Sequence, residues 1–172
     1  HGLSCRRSAG RQQRHSMLND IIWRAMGRAK IPATKEPPGL MRTDLKRPDG
    51  VTLLPWSRGR CLTWDVTVPD TVAASHLDKT SVSAGAAAEH AANLKTEKYR
   101  DLMITHEFIP IAIETFGSWC PRSVEFLSDF GRRLTEATGD PQERNYLFQR
   151  LSVAMQRCNA ICFSGTFSVE DP

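Results

Sequence analysis

No run of about 18 uninterrupted apolar residues occurs in this 172-residue chain, so the sequence offers no membrane-spanning helix. It also lacks the charged-then-apolar leader that directs secretion. The first residue is His1, and we expect the chain to be a piece of a longer protein. Cysteine is sparse and odd in number. Cys5, Cys61, Cys120, Cys158 and Cys162 are widely spread, so reduced thiols in an intracellular protein are expected rather than a disulfide framework. There is no Gly-rich phosphate loop, no Gly-x-Ser-x-Gly and no Cys/His pair spaced for nucleophilic catalysis, which argues against a metabolic α/β enzyme. No internal repeat is present.

What the sequence does have is an uneven charge. The net +4 conceals 13 Lys/Arg against 4 Asp/Glu in residues 1–60, a balance of +9, and 10 against 15 in residues 61–172, a balance of −5. A basic half suits a polyanion, because neutralising phosphates releases counterions. Many domains carry a basic end without such a partner, so charge sets a direction only.

The pattern predicts alternating helices and strands. Ser16 is a candidate N-cap for a helix over roughly 16–30, in which Leu18, Ile21, Ile22, Ala25, Met26 and Ala29 recur at helical spacing. Pro32, Pro37, Pro38 and Gly39 leave room for a short edge strand around 33–36. Residues 51–56 and 61–68 form two β-prone runs around Ser57-Arg58-Gly59, the signature of a hairpin in which Trp56 and Trp64 can stack. Residues 70–85 are expected to be loop, 86–105 an alanine-rich helix, and 108–115 a buried strand despite Pro110. Helices over 121–138 and 141–162 follow, separated by Gly139-Asp140-Pro141. This order implies an α/β fold, a mixed sheet flanked by helices.

One constellation carries chemistry. Lys46-Arg47-Pro48-Asp49-Gly50 enters one strand of the hairpin, and Asp65 lies late in its partner. Antiparallel pairing in the right register sets them side by side. Two close carboxylates repel and call for a cation, and hard oxygen donors favour Mg²⁺ or Mn²⁺. Pro-Asp-Gly is also an ordinary turn, and a strand aspartate can simply face solvent. The next helix adds weight. Its apolar stripe runs Ala88, Ala91, Ala92, Lys95, Tyr99, Leu102, with Lys95 in the middle, where an ammonium must snorkel, lose its charge or meet anions. Lys98 borders the same stripe.

These segments resemble the PD-(D/E)xK restriction-like endonucleases, and within them the endonuclease domain found downstream of the reverse transcriptase in non-LTR retrotransposons. There the lysine is displaced from the strand to the following helix in a Lys-x-x-Lys-Tyr pattern. Here Thr67 stands two residues after Asp65, and the helix carries Lys95-Thr96-Glu97-Lys98-Tyr99. The resemblance covers roughly residues 1–115 and implies a restriction-endonuclease-like αβββαβ core over 16–115, to which the sequence pattern adds two C-terminal helices over 116–164 and a disordered tail over 165–172. It implies Asp49 and Asp65 as metal ligands, Lys95 and Lys98 as catalytic cations, and Glu36 or Glu114 as a further acid. Lys46, Arg47 and Tyr99 would face DNA. His1, Cys5 and His15, a remnant of a CCHC zinc knuckle over 1–15, would form at most a partial Zn²⁺ site, which needs the upstream cysteines to close. The implied activity is a Mg²⁺- or Mn²⁺-dependent nick in target DNA that primes reverse transcription in the nucleus, with the rest of the polyprotein as partner. The alternative is a catalytically inactive or domesticated DNA-binding fragment. Cys158 and Cys162 are read as buried small hydrophobes, and Arg150 and Arg157 as a solvated face or a DNA-facing stripe.

Overall fold

The computed structural model describes Leu3, residues 9–40 and residues 47–164. Its elements are helix α1 (Ala9–Arg28), strands β1 (Ala33–Lys35), β2 (Gly50–Ser57) and β3 (Arg60–Thr67), the one-turn helix α2 (Leu77–Thr80), helix α3 (Ala86–Lys98), strand β4 (Glu107–Ala112) and helices α4 (Pro121–Thr138) and α5 (Glu143–Ser164). The four strands form one mixed sheet in the order β1-β2-β3-β4; β1 and β3 run antiparallel to β2, and β4 runs parallel to β3. The protein is therefore α/β, a four-stranded mixed sheet flanked by helices. No helix among the described residues is long and apolar enough to cross a membrane.

Period-2 alternation along β3 decides what lies on each face. Leu62, Trp64 and Val66 join the main core with Leu18, Ile22 and Met26 of α1, Phe126, Leu127 and Phe130 of α4, and Leu147, Leu151 and Met155 of α5. Thr63, Asp65 and Thr67 alternate with them, toward the face that α3 covers, where Ala88 and Ala92 cluster with Ala112 of β4. Asp65 is thus a buried acid on the thinner, alanine-lined side of the sheet. The two C-terminal helices belong to the same core as α1 and β3.

Several elements differ from the expectations. Helix α1 begins at Ala9, so Ser16 is an exposed mid-helix residue and not an N-cap. The reason is a long-range one: Arg14, 1% exposed, donates to Asn159 Oδ1 of α5 at 2.8 Å and to Leu3 O at 3.0 Å, which holds the polar first turns against the body. The alanine-rich helix stops at Lys98 and passes through a 3₁₀ turn (Asp101–Ile104) into β4. Pro110 is tolerated because β4 is an edge strand, with one side free of ladder bonds. Trp56 and Trp64 do not stack: Trp56 packs on Phe126 and Phe130 under the Arg133 guanidinium, while Trp64 is buried with its Nε1 donating to Asn19. Cys61, Cys120, Cys158 and Cys162 are free thiols, the last three buried.

Candidate metal centre

The site forms where α1 and α3 meet the adjacent ends of β2 and β3. Asp49 precedes β2 by one residue, and its backbone N–H donates to Trp64 O at 2.9 Å. This brings it beside Asp65, the next residue along β3. Its Oδ2 accepts the Val66 N–H at 2.6 Å, which fixes the carboxylate against the neighbouring strand. Gly50 permits the approach: a Cβ there would lie 2.0 Å from the Trp64 ring. The Asp-Gly pair therefore has a packing cause and is not a turn in this protein.

Helix α1 supplies the next contacts. His15 and Asn19 are one turn apart. His15 Nε2 lies 2.9 Å from Asp49 Oδ2, and Asn19 Nδ2 donates to the Asp49 carbonyl at 3.2 Å while its Oδ1 accepts from Trp64 Nε1 at 2.8 Å. One ligand atom from each of His15, Asp49 and Asp65 lies within 4.8 Å of the others, the one such group of metal-ligating side chains among the described residues. From the other side, Lys95 Nζ approaches Asp65 Oδ1 to 2.5 Å. That approach is outside hydrogen-bonding angles, so the buried Oδ1 has a cation beside it but receives no hydrogen bond.

Electrostatics follow from burial and like charge. Burial pushes the Asp65 carboxyl above its ordinary range, the Asp49 charge pushes it further, and Lys95 pulls it back. His15 is held above its ordinary value chiefly by the hydrogen bond to Asp49, against the opposing effect of burial. A cleft of about 350 Å³ adjoins the cluster, walled by Arg11, Gln12, His15, Thr67 and Lys95 but by neither aspartate. A larger apolar groove of about 540 Å³ lies elsewhere, between α1 and α5, with Arg150 and Arg157 at its edge. No His, Cys, Asp or Glu lines it, whereas His15 and Lys95 line the smaller cleft.

The donors fit a hard or borderline divalent cation. Two carboxylates and one imidazole are in reach of each other, and the Asp65 Oδ1 lone pair makes no hydrogen bond.

The other candidate residues lie apart from this cluster or play different parts. Glu36, at a backbone φ of 47° just past β1, pairs its exposed carboxylate with Arg47 and lies outside the cluster. Arg47 thereby forms a surface ion pair with Glu36. Tyr99 is 1% exposed; its hydroxyl donates to Arg47 O at 2.8 Å and its ring packs on Phe108, so it does not face DNA. Lys98 Nζ donates to that hydroxyl at 2.8 Å and sits over the ring, which leaves Lys95 as the lysine in direct contact with the acids. Glu114 is fully buried and accepts from Ala87 N and Ala88 N, capping the first turn of α3 in place of a metal. His15, grouped by sequence with His1 and Cys5, has its imidazole on Asp49 instead; it lies mid-helix, facing inward. His1, Cys5, Lys46 and the tail 165–172 lie outside the described residues. The signal that could have placed His15 in the site was its i,i+4 spacing to Asn19 on the face of α1 that carries Leu18 and Ile22.

No family model matches the chain, and no curated protein matches it.

Proposed function

We propose that this domain is a divalent-metal-dependent DNA endonuclease of the PD-(D/E)xK type, similar to those of non-LTR retrotransposons, with a restriction-endonuclease-like core. The observation that supports the reading most is the closeness of Asp49, at the entry to β2, and Asp65 of β3, with Lys95 of α3 against Asp65 and on the wall of the adjoining cleft. Asp49 and Asp65 would hold Mg²⁺ or Mn²⁺. Bound there, such an ion polarises a phosphate and makes water a usable nucleophile. The remaining roles belong to the protein's own groups. Lys95, adjacent to Asp65 and open to the cleft, orients the attacking water or neutralises charge developing on the phosphate. Arg11 and Gln12, on the wall formed by α1, are positioned to hold backbone phosphate. Val66 N–H and Asn19 keep Asp49 in place. In this reading the nick exposes a 3′-hydroxyl for reverse transcription in the nucleus, and the rest of a polyprotein chooses the target.

Plasmid nicking tests it. The wild-type domain converts supercoiled DNA to open circles with Mg²⁺ or Mn²⁺ and not in EDTA; Asp49→Ala, Asp65→Ala and Lys95→Ala do not. Equal nicking by the wild type and the double-aspartate variant ends the catalytic reading. DNA binding that is unchanged in EDTA, with no nicking at all, leaves the inactive DNA-binding fragment in its place.

A further inference from the structure

We propose that His15 is a direct metal ligand, so that the ion is held by a mixed imidazole–carboxylate set that selects Mn²⁺ over Mg²⁺. This rests on the metal-binding part of the reading above and is independent of whether DNA is cut. The geometry suits one octahedral ion. With metal–ligand bonds of about 2.1 Å, neighbouring ligand atoms on an octahedron stand about 3.0 Å apart. His15 Nε2 and Asp49 Oδ2 are 2.9 Å apart. An octahedron of that size spans about 4.2 Å between opposite ligands. The three ligand atoms of His15, Asp49 and Asp65 lie within 4.8 Å of one another, so small side-chain movements bring all three onto one ion.

The second observation is independent of the first. Asp65 is 2% exposed, and its Oδ1 is buried without a hydrogen bond. Lys95 Nζ, 2.5 Å from that oxygen, supplies one positive charge against the two carboxylates, so the pair keeps a negative charge that a bound cation can offset. The imidazole is also braced. Asn19, one turn along α1, donates to the Asp49 carbonyl and accepts from Trp64 Nε1, so α1 cannot slide without breaking both contacts.

The nitrogen donor sets the metal class. Mg²⁺ favours oxygen ligands and keeps its waters, whereas imidazole favours first-row transition ions. A site with two carboxylates alone shows little preference between Mg²⁺ and Mn²⁺, and adding His15 tips it to Mn²⁺.

The test is electron paramagnetic resonance on the full chain titrated with Mn²⁺, free of DNA. Wild-type protein is expected to bind one Mn²⁺ with ¹⁴N hyperfine coupling, replaced by the ¹⁵N pattern when histidine is ¹⁵N-labelled. That isotope experiment needs no variant. His15→Gln is expected to abolish the coupling and weaken Mn²⁺ binding by at least about tenfold, the loss that even an outer-shell change produces. Mg²⁺, followed by competition, loses much less. Mn²⁺ bound without nitrogen coupling, coupling that survives His15→Gln, or no Mn²⁺ binding overturns the assignment. Asp49→Asn and Asp65→Asn separate the two readings. If both leave Mn²⁺ affinity unchanged, the carboxylate site itself fails. If nitrogen-coupled Mn²⁺ binds and plasmid stays intact, the nuclease reading fails and His15 remains a ligand.

Discussion

His15 and Asn19, one turn apart on α1, grip the same residue from two ends: the imidazole meets the Asp49 carboxylate at 2.9 Å and the amide meets the Asp49 carbonyl at 3.2 Å. Asn19 also accepts from Trp64 Nε1, so one short side chain ties the helix to both strands that carry the acids. The candidate site therefore depends on the packing of α1 as much as on the hairpin. Asn19→Leu is expected to lose about 1–3 kcal/mol, since it strands the buried Trp64 indole N–H and leaves the Asp49 carbonyl with the Glu36 N–H alone. Asn19→Asp retains the acceptor for Trp64 but adds a third carboxyl beside Asp49. Urea denaturation of the two variants checks this: a Leu variant as stable as the wild type refutes the bracing role.

The two lysines separate by their partners. Lys95 Nζ contacts Asp65 directly, whereas Lys98 donates to Tyr99, whose hydroxyl holds the Arg47 carbonyl. On the nuclease reading, Lys95→Ala lowers the nicking rate by roughly 10²–10³, the effect of removing one preorganised charge from a reacting phosphate. Lys98→Ala acts through the orientation of Tyr99 and lowers it much less. Single-turnover nicking at saturating Mn²⁺ distinguishes them, and a Lys98 effect equal to or larger than that of Lys95 reverses the assignment.

Much of this architecture is legible in local chemistry, and the exceptions share one cause. Pro121 and Gly139 bracket α4 because proline suits a first turn and glycine takes the left-handed φ of 79° past its end. Ser57-Arg58-Gly59 marks the hairpin because Arg58 and Gly59 both take positive φ. The inward course of Lys95 follows from the alanine stripe. What escapes a sequence reading is contact between distant residues. The start of α1 depends on Arg14 reaching Asn159, 145 positions away. Tyr99, on the inward stripe by spacing but toward DNA by the resemblance, is buried with its hydroxyl on the Arg47 carbonyl and its ring on Phe108. Glu36 and Glu114 are equal candidates from sequence, and only tertiary structure sends one to Arg47 and the other to the N-terminus of α3.

Protons and stability are linked at His15. Its folded value is raised, chiefly by the hydrogen bond to Asp49 and further by the Asp49 and Asp65 charges, against burial and the Lys95 ammonium. A group whose folded value lies above its unfolded one binds protons better when folded. Its stabilisation is fully present below the ordinary value of 6.5 and is lost as pH rises through the raised value. Asp65 is raised as well, mainly by burial, so it acts with the same sign from its ordinary value of 3.8 upward. In EDTA, stability is therefore expected to decline as pH climbs above 6.5, and His15→Gln removes that decline while leaving the acid-side change due to Asp65. Chemical denaturation at a series of pH values reads both. A His15→Gln profile parallel to the wild type above pH 6.5 rules the linkage out.

Gly50 is the position where space alone decides the outcome. It pairs with Trp64 across the hairpin, and a Cβ built on it would lie 2.0 Å from Cζ2 and 2.4 Å from Cε2 of that indole. Trp64 cannot yield easily, because it is fully buried and its Nε1 is bound to Asn19. Gly50→Ala must therefore push β2 away from β3 or turn the indole out of its contact with Asn19. Overpacking of this kind costs about 1–3 kcal/mol. The displacement falls on the residue after Asp49, so it also shifts that carboxylate relative to Asp65 and His15. Gly50→Ala is expected to lower stability and weaken Mn²⁺ binding together, whereas Gly59→Ala, whose added Cβ meets nothing within 4 Å, strains only the φ of 74° at the hairpin turn and leaves the metal affinity alone. Denaturation and Mn²⁺ titration of the pair decide it: a Gly50→Ala protein that is destabilised yet binds Mn²⁺ as tightly as the wild type would show that the indole contact sets the fold but not the spacing of the two acids.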